Sequence, residues 1–195
     1  LIVGATEHPA VLEPAEYLAH KEGFELDILP VDSDGFASPE KLAPLLNDKT
    51  ALVSVMHGNN ETGTIQRIAP LTEVTREKNV LFHTDAVQSV GKVKVDVKEL
   101  GVDLLSLTAH KIYGPKGIGG LFVRQGVKIA PVFYGGSHEK KRRPGTENVA
   151  GAVALAKTLE IAERCREEDY DRLKELADYF IDKVTANVPE GVLNG

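Results

Sequence analysis

The chain has 195 residues, 42% of them hydrophobic and 27% charged, which places it among globular sequences and allows one main domain with a buried core. Asp plus Glu number 29 against 23 Lys plus Arg, so a net charge of −6 supplies no overall basic field for nucleic acid or an anionic membrane. A single cysteine excludes an intramolecular disulfide framework and a Cys-only zinc site, and no apolar run approaches the about 20 residues of a spanning helix.

Short apolar or β-branched runs alternate with longer segments of helical period, the order that builds a parallel sheet with crossover helices. The fold class is α/β. Strands are expected at Leu1 to Val3, Phe24 to Leu29, Ala51 to Met56, Val80 to Thr84, Leu104 to Leu107 and Gly119 to Val123. Helices are expected at Pro9 to Lys21, at Pro39 to Leu46 behind a capping Ser38, and at Pro70 to Lys78. Val127 to Asn148 has no period and carries the basic run at 140 to 143, so it reads as a long loop. From Val149 to Val184 the pattern is helical, with Val153, Leu159, Leu173, Leu176 and Phe180 on one stripe and a kink expected in the acidic stretch Glu167 to Asp171. Cys165 falls within this helix and should be packed or half-buried. The only methionine is Met56, so Leu1 is not expected to be a translation start and the sequence reads as a segment of a longer protein.

Polar and glycine residues cluster just after three of the expected strands: His57 to Glu61, Asp85 to Gln88, and Thr108 to Lys111. Open α/β sheets bind ligands outside the carboxyl ends of their strands. Lys111 stands between an apolar strand and a glycine-rich turn, and a lysine among cationic or desolvating neighbours can offer a free amine for a Schiff base. With Asp85 for a pyridinium nitrogen and Thr108 and His110 as phosphate donors, these are the fittings of a pyridoxal phosphate site. His83 and Asp85, with His57 or His110, suggest a metal, but none is expected because successive strand side chains alternate between faces. GPKGIGG departs from the phosphate-loop pattern and precedes a strand, so it reads as a hairpin turn.

EHPAV, NNETG, HTDAVQSVGK, SLTAHKIYGPKGIGGLFV and RRPGTEN, in that order, resemble the NifS-like cysteine desulfurases of the aminotransferase class V group. The resemblance covers essentially the whole chain. It implies a fold type I large domain, a mostly parallel mixed sheet with helices on both faces, over residues 1–150. Residues 151–195 would be a long helix leading into a small domain that is mostly absent. Lys111 then looks like the lysine that bonds the cofactor aldehyde, and Asp85 like the acid on the pyridinium nitrogen. Gln88 is similar to the glutamine at the ring oxygen, and Thr108 and His110 to phosphate ligands. His8 resembles the imidazole that stacks on the cofactor and moves a proton, although a helix cap is its ordinary role before Pro9. Asn60 resembles the asparagine near the cofactor oxygen and substrate carboxylate, and Thr146 a phosphate contact given across a dimer interface.

The implied activity is conversion of L-cysteine to L-alanine, with sulfur held as an enzyme persulfide for iron-sulfur cluster assembly. The implied partners are a second copy in a homodimer and a sulfur-acceptor or scaffold protein, in the cytoplasm or an organellar matrix, with neither nucleic acid nor membrane. The persulfide cysteine loop and the substrate-carboxylate arginine of that family lie outside this sequence, so the segment alone is expected to be inactive. Selenocysteine lyase, another class V aminotransferase, and a cofactor-binding core without turnover are the competing readings.

Overall fold

The structure is a computed structural model that describes residues 1–193. Six strands form one sheet in the order β2-β1-β3-β4-β5-β6. They are β1 (Ile2–Gly4), β2 (Asp27–Leu29), β3 (Leu52–Ser54), β4 (Leu81–Asp85), β5 (Leu104–Thr108) and β6 (Gly119–Val123). The first five run parallel, and β6 pairs antiparallel with β5, Thr108 opposite Gly119. The glycine-rich stretch after Lys111 therefore closes a hairpin, as its sequence implies.

Strand alternation divides the sheet between two helical layers. Val53 and its register partner Phe82, both fully buried, share a face with Leu29, Leu42, Ile68 and Leu71. The helices α2 (Pro39–Leu42) and α3 (Ile68–Glu77) supply the last three of these. On the opposite face Val3, Ser54 and His83 look toward Val11, Ala15 and Leu18 of α1 (Pro9–Glu22). α1 starts on Pro9, whose missing N–H costs nothing in the first turn, and ends at Gly23, whose φ of 74° is the left-handed cap glycine adopts without penalty.

Several boundaries differ from the sequence reading for local reasons. β2 is only three residues because Phe24 to Leu26 lie beyond its pairing with β1. α2 tightens into a 3-10 turn at Ala43–Leu45, where Pro44 donates no hydrogen bond. α3 begins two residues before Pro70, and a one-turn helix, α4 (Val97–Leu100), is capped by the Asp96 carboxylate. The expected loop contains a distorted turn, α5 (His138–Lys141), with Glu139 and Lys140 at φ 48° and 57°.

The last helix, α6 (Val149–Asn187), runs 39 residues without the kink expected near Glu167. Its charges pair along the axis instead of repelling: Arg166 with Glu163 at 3.1 Å, Arg172 with Asp169 at 3.3 Å and Lys174 with Asp178 at 2.6 Å. The apolar stripe is also less buried than its period implies. Val153, Leu176 and Phe180 are 64%, 55% and 66% exposed, and no residue of α6 is fully buried. Only its early turns seat on the body, with Leu159 against the core and Thr158 and Ala162 over Gly114 and Gly91.

Candidate functional site at the strand ends

Parallel pairing brings the carboxyl ends of β1, β3, β4 and β5 to one edge of the sheet. His8 follows β1, Asn60 follows β3, Asp85 ends β4, Thr108 ends β5, and His110 and Lys111 form the 3-10 turn His110–Ile112 beyond it. Six residues singled out in the sequence thus stand along this edge, with Gln88 in the turn just after β4.

Asp85 is 8% exposed, and its Oδ1 accepts from the N–H of Val87 at 2.8 Å. Its Oδ2 accepts no hydrogen bond among the described residues, which leaves one carboxylate oxygen for a ligand. Gln88 Oε1 accepts from Lys92 Nζ at 3.1 Å, so the amide nitrogen stays free to donate. Lys92 was not anticipated. Its ammonium pKa lies below the ordinary lysine value, through partial burial of an otherwise exposed side chain and then the charge of Lys111. The GK pair just after DAVQSV was the available signal.

Thr108 Oγ1 and His110 Nδ1 are 2.9 Å apart, which places a hydroxyl and an imidazole side by side at the end of β5. Lys111 is exposed while Ile112 beside it is 4% exposed, so the turn is pinned by its apolar member and offers its amine outward. Tyr113 then takes a φ of 66°, uncommon for a bulky residue, and Gly114 packs where a Cβ would lie 2.8 Å from that of Ala109. His8 caps α1, its Nδ1 accepting from Ala10 N at 3.1 Å. The cap fixes that ring nitrogen as an acceptor and leaves Nε2 to carry the hydrogen.

Of the NN pair, Asn59 is structural. Its Oδ1 accepts from the N–H groups of Glu61 and Thr62, both at 2.8 Å, and its Nδ2 donates to Thr6 O at 3.0 Å. That arrangement holds the turn and leaves Asn60 exposed. Thr146, by contrast, is exposed in the long loop, and no hydrogen bond joins it to the strand-end edge among the described residues.

Alternation of faces does not keep His83 and Asp85 apart, contrary to the expectation from the sequence. Residues 83 and 85 are two apart on β4 and so share a face. What occupies His83 is a pair of hydroxyls, Ser54 Oγ at 2.8 Å from Nδ1 and Ser106 Oγ at 2.9 Å from Nε2. His57 is likewise taken up by Ser89 Oγ at 2.9 Å. Burial lowers the pKa of both imidazoles, opposed at His83 by Asp85. Among the described residues no three His, Cys, Asp or Glu side chains gather as a metal would require.

A sheet edge that gathers an acid, a free amide, a hydroxyl and imidazole pair and an exposed lysine defines an α/β protein with a polar ligand site at its strand ends. The chain belongs to the aminotransferase class V family, whose model matches residues 1–192. Cysteine desulfurase IscS of Dictyoglomus turgidum is 50% identical over all 195 residues. A solved NifS-like protein is 40% identical with a TM-score of 0.90, over 95% of this chain and 51% of that one. SspA, solved in complex with cysteine, is 36% identical with a TM-score of 0.77, over 82% of this chain and 46% of its own. The chain spans about half the length of the curated relatives it matches, 49% for the Dictyoglomus protein.

Proposed function

We propose that the intact protein is a pyridoxal phosphate-dependent cysteine desulfurase, which converts L-cysteine to L-alanine and passes the sulfur to an enzyme persulfide. The observation that carries this reading is the gathering of Asp85, Gln88, Thr108, His110 and Lys111 at the ends of the adjacent strands β4 and β5, which brings together the donors and acceptors one such cofactor needs. Likeness to desulfurases over the whole chain supports the substrate, as does the cysteine bound by SspA.

The residues present fit pyridoxal phosphate. Asp85 would pair with its ring nitrogen through the free Oδ2, Gln88 would donate to its ring oxygen, and Thr108 and His110 would hold its phosphate. Lys111 would hold its aldehyde. When bound, that cofactor supplies an electron sink for charge that develops at the substrate Cα. The chain's own part is positional and protonic. The Asp85 carboxyl would hold a proton at the ring nitrogen. Lys92 Nζ holds Gln88 by its Oε1 and so orients the amide toward the ring oxygen. His8, anchored at Nδ1 by the helix start, presents Nε2 to the same edge as a proton carrier. Asn60 and Thr146 complete the assignment, one near the substrate carboxylate and the other toward a neighbouring subunit's phosphate site.

In this reading residues 1–150 are the cofactor-binding large domain and residues 151–195 lead into a small domain. The intact enzyme is a homodimer that serves iron-sulfur cluster assembly through a sulfur acceptor in the cytoplasm. No helix among the described residues is long and apolar enough to cross a membrane. The test is to incubate the intact protein with pyridoxal phosphate, L-cysteine and a thiol reductant. Sulfide and L-alanine in equal amounts are expected, and alanine without sulfide would overturn the reading.

A further inference from the structure

Glu7 stands between the end of β1 and the start of α1, next to His8, and no role above has used it. It is 8% exposed, a rare position for a carboxyl group. Its Oε1 accepts from the backbone N–H of Met56, just past β3. Its Oε2 is buried with no hydrogen-bond partner at all, the one such side-chain atom among the described residues. A second link, Asn59 Nδ2 to Thr6 O at 3.0 Å, ties the same two segments together.

We propose that Glu7 is a proton-carrying positioning residue: held as the neutral acid, it clamps the β1–α1 turn, and with it His8, onto the strand end beside Asp85. A buried carboxylate needs a cation or several donors, and Glu7 has one backbone N–H and no paired cation among the described residues. From β4, Asp85 acts on it as a like charge, and from the exit of β3, His57 is turned to Ser89 and made harder to protonate by burial. Burial first of all, opposed by the Met56 N–H and reinforced by Asp85, pushes the Glu7 carboxyl up to about 8. Neutrality spares Asp85 a second buried charge beside it, while Oε1 still accepts from Met56 and keeps the turn in place.

The inference rests on the cofactor reading of this edge, and its test separates the two. Glu7→Gln copies the neutral acid in shape and hydrogen bonding, whereas Glu7→Leu keeps the bulk and loses the acceptor. Urea unfolding of the cofactor-free intact protein between pH 5 and 8 reads the proton directly. Folded Glu7 protonated and unfolded Glu7 ionised means that wild type loses stability relative to Glu7→Gln, by up to tenfold in the folding constant per pH unit and by more than a hundredfold across the range. A ratio that stays flat with pH would overturn the proposal. At pH 7 pyridoxal phosphate affinity should lie within threefold of wild type in Glu7→Gln and fall at least tenfold in Glu7→Leu. Unchanged affinity in Glu7→Leu, or a tenfold loss in Glu7→Gln, would remove the positioning role, and Glu7→Gln alone decides if Glu7→Leu does not fold. Absence of sulfide from wild type would refute the desulfurase reading and leave both Glu7 readouts intact.

Discussion

Gly91 and Gly23 share a φ of 74° but not their surroundings, and substitution of each by alanine separates conformational strain from crowding beneath the lysine turn. A Cβ on Gly91 would lie 2.8 Å from Ala162 Cβ and 2.9 Å from Ile112 Cγ2, whereas one on Gly23 meets nothing within 4 Å. Both variants pay about 1 to 2 kcal/mol for a side chain in the left-handed region. Gly91→Ala adds about 1 to 3 kcal/mol of overpacking, because Ile112 and the α6 backbone must each give by several tenths of an ångström. The expected totals from urea unfolding are about 1 to 2 kcal/mol for Gly23→Ala and about 2 to 5 kcal/mol for Gly91→Ala. Ile112 adjoins Lys111, so the Gly91 variant should also lose cofactor affinity while the Gly23 variant keeps it. Equal destabilisation of the two, within about 0.5 kcal/mol, would refute the claim that α6 and Gly91 together seat the lysine turn.

Cys165 is half-buried in α6, an unbroken helix, so it lacks the mobility that a sulfur-accepting thiolate needs. In the intact enzyme Cys165→Ser should keep at least half of the sulfide release from L-cysteine, and loss of persulfide with folding intact would reassign the nucleophile. If Thr146 serves a neighbouring subunit, mixing inactive Lys111→Ala and Thr146→Ala chains should restore part of the activity in verified heterodimers. No recovery there would count against a shared site.

The strands and the placement of the polar clusters at their ends were legible because both obey local rules. Apolar runs mark β3, β4 and β5, and polar residues just past them fall on one edge by parallel pairing alone. What escaped depends on tertiary context. Glu7 sits in EHP, a motif noticed for its histidine, and nothing in the spacing tells that its carboxyl is buried while His8 is exposed. Beyond the GK pair Lys92 carries no distinguishing signal of its own in the sequence, and only the turn after β4 brings its charge near Lys111. The kink expected in α6 does not form: within the acidic stretch Asp169 pairs with Arg172 and Glu167 with Arg166, which relieves part of its repulsion. The exposure of Val153 and Phe180 marks the opposite case, a correct helical period whose apolar stripe the described residues leave uncovered.

The central claim is that Lys111, on the turn after β5, holds the cofactor. Borohydride reduction of the intact protein loaded with pyridoxal phosphate, followed by proteolysis and peptide mapping, tests it most directly. The account predicts one pyridoxyl group per chain on the peptide containing Thr108, His110 and Lys111, located at Lys111 and absent from Lys111→Ala. A label on Lys92 or Lys116, or undiminished labelling of Lys111→Ala, would contradict it.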